Sequence, residues 1–145
     1  MTVQIAIRHA AAADAGPIAG LLDQLGYPVE ARDVPARIER LLANSRGVVL
    51  LAERHGKVVG LATAHVLTVL NRPRDVAWLT ALVVDALARG HGVGRALVDA
   101  VEAFARDAGC GRLSVTTQEH RHDAHAFYLR MGFEATGRRF GKALV

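Results

Sequence analysis

Asp75-Val76-Ala77-Trp78-Leu79-Thr80-Ala81-Leu82-Val83-Val84-Asp85, followed shortly by Arg89-Gly90-His91-Gly92-Val93-Gly94-Arg95, decides the fold. Val76 to Val84 is a continuous apolar run rich in β-branched residues, the pattern of a strand buried on both faces, and it stops at Asp85. The alternating glycines Gly90, Gly92 and Gly94 let the backbone turn sharply and let a ligand approach without meeting a Cβ. Beyond them Val93, Leu97, Ala100, Val101 and Phe104 recur on one face of an amphipathic helix, which Gly109 ends. The first amides of a helix lack intrahelical acceptors and carry the positive end of its dipole. A strand, a glycine turn and a helix N-terminus therefore suit an anion, to which Arg89 and Arg95 add full charges. Two familiar phosphate loops do not fit. A dinucleotide loop needs G-x-G-x-x-G, but Leu97 lies five residues after Gly92, and a triphosphate loop needs Gly-Lys-Ser/Thr, whereas the only lysines are Lys57 and Lys142. The plain alternative is a turn without a ligand.

Composition narrows the class. The 145 residues suit one domain, 1–145, and 51% hydrophobic with 22% charged residues is globular composition. The net charge of +4 comes from scattered arginines without a basic block, which favours an anionic ligand and disfavours nucleic acid. Cys110 is the single cysteine, so no intrachain disulfide forms, a thiolate zinc site is excluded, and a reducing cytoplasm is expected. Residues 1–13 carry no targeting pattern. The most apolar stretch, Val58 to Leu70, is interrupted by Gly60 and His65 and falls short of the roughly 18 residues of a membrane span.

The remaining elements read in order. Val3, Ile5 and Ile7 alternate as a half-buried strand. Asp14 is the expected cap of a helix carrying Ile18, Leu21, Leu22 and Leu25 and ending at Gly26, and Asp33 with Pro35 starts a second helix bearing Val34, Ile38, Leu41 and Leu42. Val48 to Ala52 is a strand, His55-Gly56 a hairpin turn, and Val58 to Val69 the returning strand, in which Gly60 marks a bulge or close packing. Arg112 to Thr117 follows the central helix as a strand parallel to the central one. Asp123 is expected to cap a last helix that Gly132 ends, and Phe133 to Leu144 reads as a terminal strand. The expected fold class is α+β: a three-layer sandwich whose mixed central sheet, an antiparallel meander plus a parallel central pair, has helices on both faces.

The spacing Arg89, Gly92, Gly94 resembles the acetyl-coenzyme A pyrophosphate loop of the GCN5-related N-acetyltransferase (GNAT) family, and Leu82-Val83-Val84 resembles its pantetheine-binding strand. Asp123-Ala124-His125-Ala126-Phe127-Tyr128-Leu129-Arg130-Met131-Gly132-Phe133 resembles its second signature. The resemblance implies acetyl-CoA as cosubstrate, held by Leu82, Val83, Val84, Arg89, Gly90, His91, Gly92, Val93, Gly94 and Arg95. It implies transfer to a primary amine of a small molecule or peptide, with Tyr128 as general acid for the departing thiolate. The base is less defined. In many family members an acidic or histidine side chain stands at positions matching Trp78 or Thr80, expected on the face of Leu82 and Val84, and neither residue serves. Glu53, His65 and His120 are other candidates. Arg121 stands where the family often has asparagine and is a candidate cofactor contact. His120, His122, His125 and Asp123 invite a metal reading, but their spacing suits no single site, and no metal is expected. Tyr27 and Glu30, in the loop between the first helices, are candidates for receiving a cationic acceptor. Three functions are compared: an N-acetyltransferase, a non-catalytic acyl-CoA sensor, and a basic nucleic-acid module, the last disfavoured for want of aromatic clusters. An amine acceptor is the expected partner, without nucleic acid or membrane, and a homodimer is the assembly entertained.

Overall fold

The computed structural model describes residues 4–44, 46–117 and 122–145. Its contacts divide the chain into two units, Met1–Ser114 and Val115–Val145.

The first unit is built on a sheet in the order β1-β2-β3-β4-β5. Its strands are β1 (Ala6–His9), β2 (Gly47–Arg54), β3 (Lys57–Leu67), β4 (Val76–Val84) and β5 (Arg112–Val115), the last residue of which opens the second unit. β1 to β4 pair antiparallel in succession, and the sheet is mixed because the parallel pair follows them. The hairpin between β2 and β3 turns on His55 and Gly56, both at positive φ (56° and 73°), the twist that two-residue hairpins favour. Helices α1 (Ala15–Leu25), α2 (Val34–Leu42) and α3 (Val93–Asp107) complete the unit.

Alternation along the strands assigns each face to a helix layer. Ile18 and Leu21 of α1 and Val34 of α2 form one buried cluster with Val49, Leu51, Leu61 and Val83. The opposite face carries α3. Gly60 lies there, and a Cβ on it would stand 2.9 Å from both Leu97 Cδ1 and Val93 Cγ1, so only glycine lets the helix settle this close. The bulge read from Gly60 is also present: Ala52 pairs with Gly60 but Glu53 with Val58, leaving Val59 as the extra residue. The buried stripe of α3 is Val93, Leu97, Val98, Val101 and Ala105. Ala100 and Phe104, expected in that stripe, are only half-buried, so the face is turned toward Val98 and Ala105.

Capping differs from expectation at the helix starts. Asp14 is buried, but its carboxylate accepts from Ala11 N (2.7 Å) and from Arg8 Nη1 and Nη2 (2.9 and 2.8 Å) rather than capping α1. Asp33 likewise makes no side-chain cap bond to α2. The helix stops follow the glycines as expected. In α1, Tyr27 N donates to Leu22 O and Gly26 N to Asp23 O; in α3, Cys110 N donates to Ala105 O and Gly109 N to Arg106 O. Each is a paired stop made around a glycine at positive φ (101° and 82°).

The second unit contains α4 (His122–Arg130). It ends in the same way, with Phe133 N on Tyr128 O (3.0 Å), Gly132 N on Leu129 O (3.1 Å), and Gly132 at φ 93°. Asp123 lies inside its first turn and is not its cap. Phe133 to Leu144 forms no strand. Its large apolar residues do not alternate with a period of two, and Gly137 and Gly141 weaken any ladder, leaving Phe140 and Leu144 exposed.

Candidate functional site

The loop after β4 is built in steps. Asp85 continues the β3 ladder through its N–H to Val59 O (2.8 Å), and its carboxylate accepts Leu87 N (3.0 Å), winding Ala86–Ala88 into a 3₁₀ turn. Gln24, at the end of α1, accepts Ala86 N through Oε1 (2.9 Å), tying the first helix to this turn. Arg89 is exposed and donates from Nε to Val84 O (3.3 Å). Gly90 and Gly92 follow at φ 82° and 85°, where an L side chain is strained, and α3 begins at Val93.

Gly92 is the N-cap of α3 and, having no side chain, makes no cap bond to the first helical amides. Nothing lies within 4 Å of where a Cβ on Gly90 or Gly92 would stand, so open space fronts the loop. Gly94 lies in the first helical turn, while His91 and Arg95 are exposed beside it. Val93 is 1% exposed, so its side chain anchors the helix to the sheet and only its backbone serves an anion. This is an uncapped helix N-terminus flanked by arginines, the arrangement that binds phosphate oxygens.

The strand feeding the loop is not buried along its whole length. Val76, Ala77 and Leu79 are buried, Thr80 is exposed, and Ala81, Leu82 and Val84 are half-buried, so β4 opens toward its C-terminal end. Val83 belongs to the core cluster with α1 and α2, which directs Leu82 and Val84 to the other face. The expectation that Trp78 shares the face of Leu82 and Val84 is corrected by a second bulge. Thr63 pairs with Ala81 but Ala64 with Leu79, so Thr80 is the extra residue and the alternation reverses across it. Trp78, opposite His65, therefore lies on the α1–α2 face. Thr80 Oγ1 lies 2.7 Å from Thr63 Oγ1 and donates to Thr63 O (3.1 Å).

Among the proposed bases, Glu53 is held by Arg8 (Nε to Oε1, 2.8 Å). His65 is half-buried between Gly47 and Trp78 in the strand register, and His120 lies outside the described residues, as does Arg121. Glu30 is paired with Arg32 (3.1 Å), and Tyr27 is 50% exposed. In α4, Tyr128 is half-buried and packed edge-on between Phe127 and Phe133, with ring centroids 5.4 and 5.5 Å away. His125 is half-buried on the same helix.

Named neighbours move Asp14, Asp75 and Cys110 away from their ordinary values. The hydrogen bonds from Arg8 hold the Asp14 carboxyl down to about 2. Arg46, which donates to Asp75 Oδ2 (3.0 Å), lowers Asp75, aided by Thr68. Burial, with the Asp75 charge, pushes the Cys110 thiol up, so this sulfur is a poor thiolate nucleophile.

The family model for the acetyltransferase (GNAT) family matches residues 18–133. The chain belongs to the GNAT family. Solved structures agree on the fold. A putative acetyltransferase from Agrobacterium tumefaciens str. C58 is 26% identical with a TM-score of 0.84, covering 95% of this chain and 99% of that one. The aminoglycoside N-acetyltransferase AAC(6')-Iy in complex with CoA is 22% identical, with a TM-score of 0.85 over 99% of this chain and 96% of that one. Glucosamine-6-phosphate N-acetyltransferase from Arabidopsis thaliana is 18% identical, with a TM-score of 0.84 over 98% and 99%. No curated protein sequence matches this GNAT chain. GNAT membership implies acyl-CoA-dependent acetyl transfer as the family's chemistry. No helix among the described residues is long and apolar enough to cross a membrane.

The resemblance had named the loop and strand residues that the first unit assembles from the end of β4 to the start of α3. Sequence reading missed the Gln24 tie and the Thr80 bulge. The one available signal for the bulge was a lone polar residue inside an apolar run.

Proposed function

We propose that this GNAT protein transfers the acetyl group of acetyl-CoA directly to a primary amine of a small molecule or peptide. The observation that carries this reading is the uncapped N-terminus of α3 behind Gly90 and Gly92, with Arg89 and Arg95 beside it. In this reading the pyrophosphate is held by the first α3 amides, and the pantetheine arm runs back along the open end of β4, beside Leu82, Val83 and Val84. The amine must lose a proton before attack, because alkylamines are mostly protonated at pH 7. A backbone N–H near Val84 stabilises the tetrahedral oxyanion, and Tyr128 gives a proton or hydrogen bond to the departing sulfur. Gly111 N donates to Asp75 O, which places Cys110 by the start of β4 and away from its Val84 end, and this supports direct transfer over an acetyl-cysteine intermediate. The family match runs through both units, which supports one N-acetyltransferase domain over residues 1–145. We further take the protein to be cytoplasmic, where its lone cysteine stays reduced, and homodimeric, since exposed Phe140 and Leu144 offer a second copy apolar surface.

A sensor that binds acyl-CoA without turnover is the second reading. It is favoured by the absence of an acid or base at Trp78 and Thr80 and by the engagement of Glu53 with Arg8. Isothermal calorimetry with acetyl-CoA and with NAD tests what both readings share. Acetyl-CoA is expected to bind and NAD not to, and tighter NAD binding would overturn both.

A further inference from the structure

Past the end of the α1–α2 core cluster, the same sheet face carries a floor of Thr63, His65, Trp78 and Thr80. The strand register fixes this grouping: Thr63 stands between Val49 and Ala81, and His65 between Gly47 and Trp78. The Thr80 bulge brings Trp78 onto this face. A side chain at Gly47 would run into the Leu41 carbonyl, so its absence lets the last turn of α2 close against the sheet beside His65. Thr80 is exposed, and the other three are half-buried.

The chemistry of this floor is specific. Thr80 Oγ1 lies 2.7 Å from Thr63 Oγ1 and 3.1 Å from Thr63 O, so the two hydroxyls satisfy each other's protons within one small cluster. Lone pairs on these hydroxyl oxygens stay available to accept an incoming N–H. No carboxylate occupies Gly47, Val49, Thr63, His65, Trp78 or Thr80. The charged groups flanking the floor in sequence, Arg46 and Asp75, pair with each other. A polycation needs several carboxylates to replace its water, and this floor offers none. An amine with one ammonium and an aromatic or apolar body finds hydroxyl and imidazole acceptors for its N–H groups and the Trp78 ring for its body.

We propose that this floor receives such a monoamine and that His65 is the catalytic base. The proposal rests on the acetyltransferase reading, in which the cofactor arm runs back along β4 from Val84 through Leu82, so that the next residues it meets are Ala81 and Thr80. His65 is one same-face step, about 7 Å along the strand, from Thr63. The imidazole takes one proton from the ammonium and releases it to water. The freed nitrogen lone pair attacks the thioester carbonyl carbon, forming the C–N bond. The tetrahedral intermediate then breaks its C–S bond, the electron pair leaving on sulfur with the proton or hydrogen bond that Tyr128 gives it, and the second nitrogen proton makes good the one the thiol gains. The products are the amide and CoA thiol.

The test is thiol release from acetyl-CoA with 2-phenylethylamine, spermidine and an aminoglycoside as acceptors, for wild type, His65→Gln, His65→Ala and Trp78→Leu. The aromatic monoamine should have a kcat/KM at least about tenfold above either polycation. His65→Gln should lower kcat about 100-fold or more at unchanged acetyl-CoA affinity, and added imidazole should restore part of the loss in His65→Ala. Trp78→Leu should chiefly raise the amine KM. A polycation as the best acceptor, or wild-type kcat in His65→Gln, overturns this proposal while leaving the transferase reading intact. No thiol release with any of these amines, in protein that still binds acetyl-CoA, overturns both the proposal and the transferase reading.

Discussion

Replacing Gly92 by alanine and then by valine separates what the backbone requires from what a ligand requires. Gly92 sits at φ 85° and ψ 9°, and an L residue there is disfavoured by roughly 1–2 kcal/mol. Packing adds nothing, because no atom lies within 4 Å of the new Cβ. Gly92→Ala should therefore lower the thermal midpoint of the free protein by about 2–4 °C for each kcal/mol lost. Valine should lower it further, since β-branched residues are least tolerant of positive φ. The ligand arm reads differently. Acetyl-CoA at about a hundred times its Kd should stabilise wild type by about 2.7 kcal/mol. Any side chain at Gly92 projects into the space where phosphate oxygens would approach the α3 amides, so this ligand-induced shift should shrink in alanine and largely vanish in valine. Scanning fluorimetry with and without acetyl-CoA reads both effects. A wild-type midpoint in Gly92→Ala would refute the backbone argument, and a full ligand shift in Gly92→Val would refute the phosphate-loop assignment.

Other perturbations follow from particular contacts. Gly60→Ala sets a methyl 2.9 Å from Val93 Cγ1 and Leu97 Cδ1, and should cost about 1–3 kcal/mol, read in urea as a lower midpoint with an unchanged m-value. Tyr128→Phe keeps the ring against Phe127 and Phe133 while deleting the hydroxyl. Turnover should fall roughly 100- to 10,000-fold, or less if product release limits the rate, with acetyl-CoA affinity unchanged in calorimetry. Asp14, lowered from 3.8 to about 2, contributes stability that is complete above its unfolded value and is lost as pH falls through its folded one. With Arg8 38% exposed and screened by solvent, that contribution is on the order of 1–2 kcal/mol. Wild type should lose it between about pH 4 and 2, and Asp14→Asn should show no such loss in urea titrations across that range.

The parts of the fold legible in sequence were those fixed by local chemistry. The unbroken apolar run gave the bounds of β4, and Gly26, Gly109 and Gly132 ended helices because each takes positive φ. Gly60 announced both its bulge and its contact with α3. What stayed hidden depended on partners distant in sequence. Counting alternate residues put Trp78 on the face of Leu82, but Thr80 bulges out to bond Thr63, 17 positions earlier, and the faces exchange. Asp14 has the composition of a cap, yet the guanidinium of Arg8 claims it. Phe133 to Leu144 has scattered apolar residues, and these did not make a strand. The site was legible in the same proportion. The glycine loop is a local device, whereas the floor beside His65 exists only because two strands pair in an irregular register.

Acetyl transfer from acetyl-CoA to an amine is read out by incubating the wild-type protein with acetyl-CoA and a panel of amines while following free thiol and the acceptor's mass. Thiol release should depend on the amine and be matched mole for mole by an acceptor heavier by about 42 Da, the mass of acetyl replacing hydrogen. Tight acetyl-CoA binding with no amine-dependent thiol release and no acetylated product would contradict it and leave a sensor in its place.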